Sequence, residues 1–429
     1  MMKVLLIAMY HPELVRGGSQ LVAYELFQGL REVPGLEPVL LCSADSNSPS
    51  MFKKGARITG FDQRANEFLF LSHDYDCVWQ KLPLLGQAET FAEFLRRVRP
   101  DVVHFHHFLA YGIDYLTLTR KVLPRARIVL TAHEFLTICA ADGHMVRKTD
   151  GSLCEQASQV RCHQCLPAVS PEMFFLREQW MKAHLGVVDL FTVPSRFMID
   201  VYARWGLAAE KFVHVPNGLS MPPPPAAGAL EFTRRNRFGF FGQMVDVKGL
   251  LVLLEAVNML RADGFEDFAV EINGENIHFA SPARRREIET FLAQEAERPL
   301  AERRVNFLGG YHHGQIGARM ARVDWVVVPS TWWEIYCLVI SEAWHFGRPV
   351  IASNKGGPAE RVTDGKDGLL FELGDARSLA QAMRRAATES GLWETLVQGI
   401  NPPTSREEMV RGYLAVYEAA QEKQTLAAE

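Results

Sequence analysis

Two carboxylates, Glu334 and Glu342, stand eight positions apart in PSTWWEIYCLVISEAWHFGRPV (329–350), a run that is otherwise largely apolar. Charged groups are almost never buried without a partner. A pair in such a segment therefore implies something that satisfies them. Carboxylates accept well from vicinal hydroxyls, as the acidic residue on a ribose does in dinucleotide folds, so sugar hydroxyls suit both. Glu334 follows the strand pattern VDWVVVPS (323–330) and falls in a loop at a strand's carboxyl end. Glu342 falls in IYCLVISEAWHFG, which reads as a buried helix. Trp332, Trp333 and Tyr336 lie beside them, either as pocket wall or as core.

Other residues bring matching chemistry. RGGSQLV sets Gly17 and Gly18 just before a helix start, where backbone N–H groups and the helix dipole can hold a phosphate. A structural turn is the plainer reading, and the dinucleotide fingerprint G-x-G-x-x-G is missing. In FFGQMVDVKGLLVLLEA, Lys248 stands where it reaches a phosphate at a helix N-terminus, unless it is a solvated surface lysine. VVHFHHF and TAHEF bring His104, His106, His107, His133 and Glu134 to the ends of apolar strands. On a strand His104 and His106 share a face and His107 does not, which is too few for a local metal site. Asp74 and Asp76 in HDYDC are the type of pair that holds a divalent ion on a diphosphate, and equally ordinary turn residues. Cys139, Cys154, Cys162 and Cys165 are spaced C-x14-C-x7-C-x2-C. They suit a structural zinc ion, with a disulfide or unligated thiols as the alternatives.

The elements that must position these residues alternate as strand and helix. KVLLIAMY (3–10), EPVLLCS (37–43), PDVVHFHHF (100–108), ARIVLTAHEF (126–135), VDLFTVPS (188–195) and KFVHVPNG (211–218) read as strands of a mainly parallel sheet. A proline-rich hinge at 216–230 interrupts the series. It then restarts with RFGFFGQ (237–243), FAVEING (268–274), VNFLGGY (305–311), VDWVVVPS, RPVIAS (348–353) and GLLFEL (368–373). With 429 residues, two domains follow: 1–215, carrying a cysteine-bearing insertion at 136–170, and 231–400. A helix over 401–429 follows the second. In such sheets ligands bind at the strands' carboxyl ends, so chemistry is expected in a cleft where the two faces oppose.

Composition is that of an ordinary globular chain, 48% hydrophobic with a formal charge of −4, which argues against a nucleic-acid binder. The short basic clusters, such as RRNR at 234–237, read as solvated faces. MMKVLLIAMYH lacks the form of a secretory leader, and no apolar stretch reaches 18 residues. The expectation is a cytoplasmic chain with reduced cysteines.

Taken in order, RGGSQLV, VVHFHH, TAHEF, VPSRF, VPNGL, FGQMVDVKG, VNFLGG, the Glu334–Glu342 element, GRPVIASNKGGPAERV and DGKDGLLF resemble the retaining GT-B glycosyltransferases of family 4. The resemblance runs over nearly the whole chain. It implies two Rossmann-like parallel-sheet domains facing across a cleft, with the terminal helix crossing back to the first. The implied reaction moves a sugar from a UDP- or GDP-linked donor to a saccharide or lipid-linked acceptor hydroxyl. It would retain anomeric configuration and need no catalytic metal. By motif position Glu334 would contact donor-sugar hydroxyls and Glu342 the ribose. His133 would sit beside the reacting sugar, Lys248 would stabilise the diphosphate, and Gly17 and Gly18 would let backbone approach it. His106, His107 and Glu134 would lie on the acceptor side. Gln243 departs from the pattern, which usually has arginine there; an amide brings no charge. The insertion resembles that of members thought to build bacterial surface polysaccharides, and the chain itself is expected in the cytoplasm or peripheral at the inner membrane face. The competing expectations are a catalytically silent nucleotide-sugar binder and a metal-dependent GT-A transferase using Asp74 and Asp76.

Overall fold

The structure, a computed structural model, describes residues 1–44, 52, 56–72, 75–82, 85–223 and 234–428. The chain divides into two units, Met1–Ser220 with Thr404–Glu429, and Met221–Pro403.

The first unit runs β1 (Met2–Tyr10), α1 (Gly18–Arg31), β2 (Leu36–Ala44), β3 (Ile58–Gly60), β4 (Glu67–Leu71), α2 (Leu85–Val98), β5 (Val102–Phe105), α3 (Asp114–Val122), β6 (Arg127–Thr131), α4 (Gln159–Cys165), α5 (Pro171–Leu185), β7 (Leu190–Val193), α6 (Phe197–Arg204) and β8 (Phe212–His214). Its sheet has the order β3-β4-β2-β1-β5-β6-β7-β8. Every pair is parallel except β3 with β4. Val4, Leu5, Leu6 and Ile7 are fully buried, as a strand covered by helices on both faces requires. From β1 the chain steps first to β2 and later to β5 on the other side, which opens a crevice at their carboxyl ends.

The second unit runs β9 (Arg237–Gln243), α7 (Leu250–Ala262), β10 (Ala269–Glu275), α8 (Pro282–Glu297), β11 (Val305–Phe307), α9 (Ile316–Met320), β12 (Trp325–Val328), α10 (Leu338–His345), β13 (Val350–Ser353), α11 (Gly356–Arg361), β14 (Gly368–Phe371), α12 (Ala376–Thr388) and α13 (Leu392–Gly399). Its all-parallel sheet is ordered β11-β10-β9-β12-β13-β14. The order reverses between β9 and β12, so the loops leaving those strands meet. That topology brings Lys248 and Glu334, 86 positions apart, to one place.

The two loops are stitched by backbone. Thr331 N–H donates to Val247 O at 2.8 Å, and Gly249 stands at φ 72° before α7. A Cβ on Gly249 would lie 1.8 Å from Pro329 O. Gly249→Ala therefore meets both left-handed strain and a backbone clash. It should destabilise the second unit by at least about 2 kcal/mol. A urea melt within 0.5 kcal/mol of the parent would contradict this.

The closing helix α14 (Arg406–Ala428) belongs to the first unit. Tyr413 and Tyr417 are fully buried there, and Val410 occupies the space a Cβ on Gly29 would need. His104 is held in this packing by Tyr417 Oη (2.8 Å) and Thr131 Oγ1 (2.7 Å).

Some elements depart from the sequence expectations. β3 and β4 were not anticipated, being short and at the sheet's edge. α8 buries only Ile288 and Glu295, so it shows almost no apolar period. The helix expected over 335–347 starts only at Leu338, because Cys337 takes a left-handed φ of 63°. The single-sheet GT-A alternative is excluded by the two parallel sheets. Asp74 lies outside the described residues, and Asp76 Oδ1 accepts from the N–H groups of Val78 and Trp79, each at 2.9 Å, as a turn residue does.

Candidate functional site

In the second unit the carboxyl ends of β9 and β12 form a charged cluster. Lys248 Nζ (2.7 Å), Ser330 Oγ (2.9 Å) and Trp332 Nε1 (3.0 Å) all donate to Glu334 Oε2. None of the three engages Oε1. Glu334 is buried, which disfavours its charge, but the Lys248 ammonium and these hydrogen bonds outweigh burial and hold its pKa below the usual value. Burial likewise works against the Lys248 ammonium, and the facing carboxylate overcomes it and raises the pKa. The pair is thus ionised at neutral pH. Lys248 keeps about 30% of its side chain exposed and lies 5.5 Å from the centre of the Trp332 ring.

The segment 334–337 is fixed by the double glycine of NKGGPAERV. Gly357 N–H donates to Glu334 O at 2.6 Å. A Cβ would come within 2.6 Å of that oxygen from Gly356, and within 2.3 Å of Ile335 O from Gly357. Arg361 then clamps the chain's entry into α10, donating to Tyr336 O (2.9 Å), Cys337 O (2.8 Å) and Ser341 Oγ (2.7 Å) and stacking on the Tyr336 ring at 3.8 Å. Sequence reasoning missed Arg361, Ser330 and the hydrogen bond from Trp332. A lone arginine in a helix gives no hint that it faces a loop 25 positions away.

Glu342 differs from Glu334. It is buried in α10, no cation or donor among the described residues compensates it, and burial alone pushes its carboxyl up to about 7. Its field, after burial, also raises the Tyr311 hydroxyl, which Glu275 and Arg319 neighbour as well. Gln243 ends β9 opposite Glu275 and brings no charge. Arg319 is committed to Asn273 Oδ1 (3.1 Å) and Leu308 O (3.2 Å).

In the first unit, Gly17 is extended (φ −167°) immediately before Gly18 opens α1, and the Gln20 side chain covers the place of its missing Cβ. His106 Nδ1 lies 3.1 Å from His133 Nε2, with the rings stacked. Burial, then the neighbouring rings, keeps both imidazoles neutral. His107 Nε2 lies 3.2 Å from Glu134 Oε1. Burial drives that imidazole down to about 4 and that carboxyl up to about 7, which makes the contact a hydrogen bond more than an ion pair. His106 and His107 are 1% and 5% exposed and support the His133–Glu134 corner from behind. Arg177, also missed, is buried and donates to the carbonyls of Val78 (2.6 Å), Leu136 (2.6 Å) and Thr137 (2.9 Å), tying down the same corner.

All seven cysteines are thiols, none in a disulfide. Cys139, Cys154, Cys162 and Cys165 line one cavity. Among the described residues no three Cys, His, Asp or Glu side chains stand close enough, as placed, to hold a metal ion.

Residues 16–221 match the family described as Glycosyltransferase Family 4, and residues 235–389 the family described as Glycosyl transferases group 1. Glycogen synthase of Mycobacterium tuberculosis is 23% identical over 400 residues, 89% of this chain and 85% of its own length. Sucrose-phosphate synthase of Thermosynechococcus elongatus shares the fold with a TM-score of 0.68 at 20% identity, covering 100% of both chains. Anabaena HepE, in complex with UDP and glucose, does so at 0.66 and 16%, covering 98% of this chain and 100% of its own. Two Rossmann-like parallel-sheet units of this kind are the GT-B fold. The chain belongs to glycosyltransferase family 4, group 1, and is a transferase of the glycosyl-transfer class.

Proposed function

We propose that the chain moves a hexosyl group from a nucleotide-diphosphate sugar to an acceptor hydroxyl with retention at the anomeric carbon. The observation that carries this is the Lys248–Glu334 pair at the sheet's switch point, its Oε1 outside the three bonds on Oε2, with the uncompensated Glu342 carboxylate in the following helix. Lys248 stabilises the departing diphosphate, Glu334 Oε1 accepts from donor-sugar hydroxyls, and Glu342 accepts from the ribose. Catalysis is then positioning and leaving-group electrostatics. His133, Gly17 and Gly18 take the roles that the family resemblance implies, beside the reacting sugar and the diphosphate. No catalytic metal is needed for these roles.

UDP is the first donor base to test, since the HepE complex contains it; GDP and ADP follow. A saccharide or lipid-linked acceptor and a role in bacterial surface polysaccharide assembly fit the insertion's resemblance. No helix among the described residues is long and apolar enough to cross a membrane; work peripheral at the inner membrane face is part of this reading. Gln243, where arginine is usual, favours a second reading, a protein that binds donor and turns it over slowly or not at all.

The test is thermal stabilisation by UDP-, GDP- and ADP-glucose in EDTA, comparing the parent with Glu342→Ala. A donor at about a hundred times its dissociation constant should add about 2.7 kcal/mol. A shift with one base that Glu342→Ala abolishes supports donor binding in the second unit. No shift with any sugar nucleotide would sink it. Stabilisation without consumption of donor, whatever acceptor is supplied, would establish the silent binder.

A further inference from the structure

Residues 146–170 contain no buried side chain, and α4 within them buries nothing. Ordering 25 residues costs about 1–2 kcal/mol each in backbone entropy alone. A segment with so little apolar burial has no core to offset that cost. Small folds in this position rely on a cross-link or a structural metal.

The segment is nonetheless built, and what it builds is a convergence of sulfur. Cys139 follows the β6 loop in a turn closed by its N–H to Phe135 O (2.7 Å). A short antiparallel bridge, Val146 with Leu153, returns the chain so that Cys154 N–H donates to Met145 O at 2.7 Å. Ser158 caps α4, whose single exposed stretch sets Cys162 and Cys165 one turn apart, on the same face. All four line one cavity of about 30 Å³, with Met145 and Phe174 in its apolar wall and Arg147 and Arg161 also at it. The buried Arg177 acts on Cys139 from the protein side.

We propose that Cys139, Cys154, Cys162 and Cys165 form a structural tetrathiolate zinc site that holds the insertion together. Four ligands from a turn, a hairpin and one helical turn are the usual makings of a closed, tetrahedral Zn site. Four thiolates around a divalent ion leave two negative charges, and three arginines stand ready to balance them. As placed, the sulfurs are not at ligation distance, so they must turn inward towards the cavity they already share. Each thiol releases its proton to solvent as it binds. The site also bears on the loop after β6, because Cys139 lies in the same turn as the carbonyls that Arg177 holds.

The experiment uses the full chain, independent of whether it transfers sugar. Protein produced in zinc-supplemented medium and dialysed without chelator should carry about one zinc per chain by elemental analysis. Cys162→Ser with Cys165→Ser should carry less than a tenth of that, and Cys42→Ser, outside the cluster, should keep it. Cobalt(II) exchanged into the parent should give the d–d and charge-transfer bands of a tetrathiolate site, which does not depend on how the serine variants fold. No bound zinc together with seven titratable thiols in the denatured chain would overturn the proposal. So would five or three thiols, which would reveal disulfides, or a cobalt spectrum of oxygen or nitrogen ligands.

Discussion

Lys248→Ala is expected to lower turnover with the stabilising donor by about 10²–10³-fold, the scale lost when one preorganised electrostatic contact to a developing anion is removed. The same change strands Glu334, which keeps Ser330 and Trp332 as its side-chain donors among the described residues. Breaking a buried ion pair costs about 3–5 kcal/mol. Lys248 is 30% exposed, so solvent screening reduces this to about 2–3 kcal/mol. The stability effect is isolated in Lys248→Met combined with Glu334→Gln, which removes the stranded charge along with the carboxylate that meets the sugar. That double variant should regain most of the stability and none of the turnover. Recovery of turnover would show that Lys248 acts only as a counterion. The pH signs are simple for this pair. Glu334 has a lowered pKa, so its contribution is present above its unfolded value and lost as pH falls through the folded one. Lys248 has a raised pKa, so its contribution is lost only as pH rises through that value. Neither changes near neutrality.

Glu342→Gln should act in the opposite sense on the ligand-free chain. Its carboxyl moves from an ordinary 4.5 to about 7 on folding, so between those values the folded state binds more protons than the unfolded. Stability therefore falls as pH rises through that window, by on the order of 3 kcal/mol in all. The variant lacks this term and should be more stable than the parent at pH 8, with little difference at pH 4. Glu134 contributes a slope of the same sign, so the informative quantity is the parent-minus-variant difference. In donor binding the order reverses. A hydroxyl donating to the Glu342 carboxylate makes parental affinity rise with pH through about 7. Losing a charge-assisted hydrogen bond should weaken the variant by about 10–100-fold. Urea melts from pH 4 to 8 and donor titrations at pH 6 and 8 read both. Parallel stability curves for parent and variant would remove Glu342 from the account.

Much of the fold was legible because parallel strands buried on both faces leave unmistakable apolar runs. KVLLIAMY and RFGFFGQ coincide with β1 and β9 to within a residue, and the α7 helix follows its lysine and glycine as expected. Where burial is one-sided or slight, the signal fades. β4 is five residues long, and α8 is nearly all solvated, so neither stood out. The site was legible in kind, less so in arrangement. The oddity of two carboxylates in an apolar run was visible, and so was a lysine before a helix.

What the sequence determined, then, is the alternation, the charges that need partners and the glycines that leave room for backbone. Only the tertiary structure decided which partners those charges have. Glu334 is matched by Lys248, Ser330 and Trp332 because the sheet order reverses between β9 and β12. Glu342, eight residues on, is matched by no cation or donor among the described residues, because the left-handed turn at Cys337 starts a helix that buries it. Spacing along a chain cannot report this, since desolvation and Coulomb attraction depend on distances that topology sets.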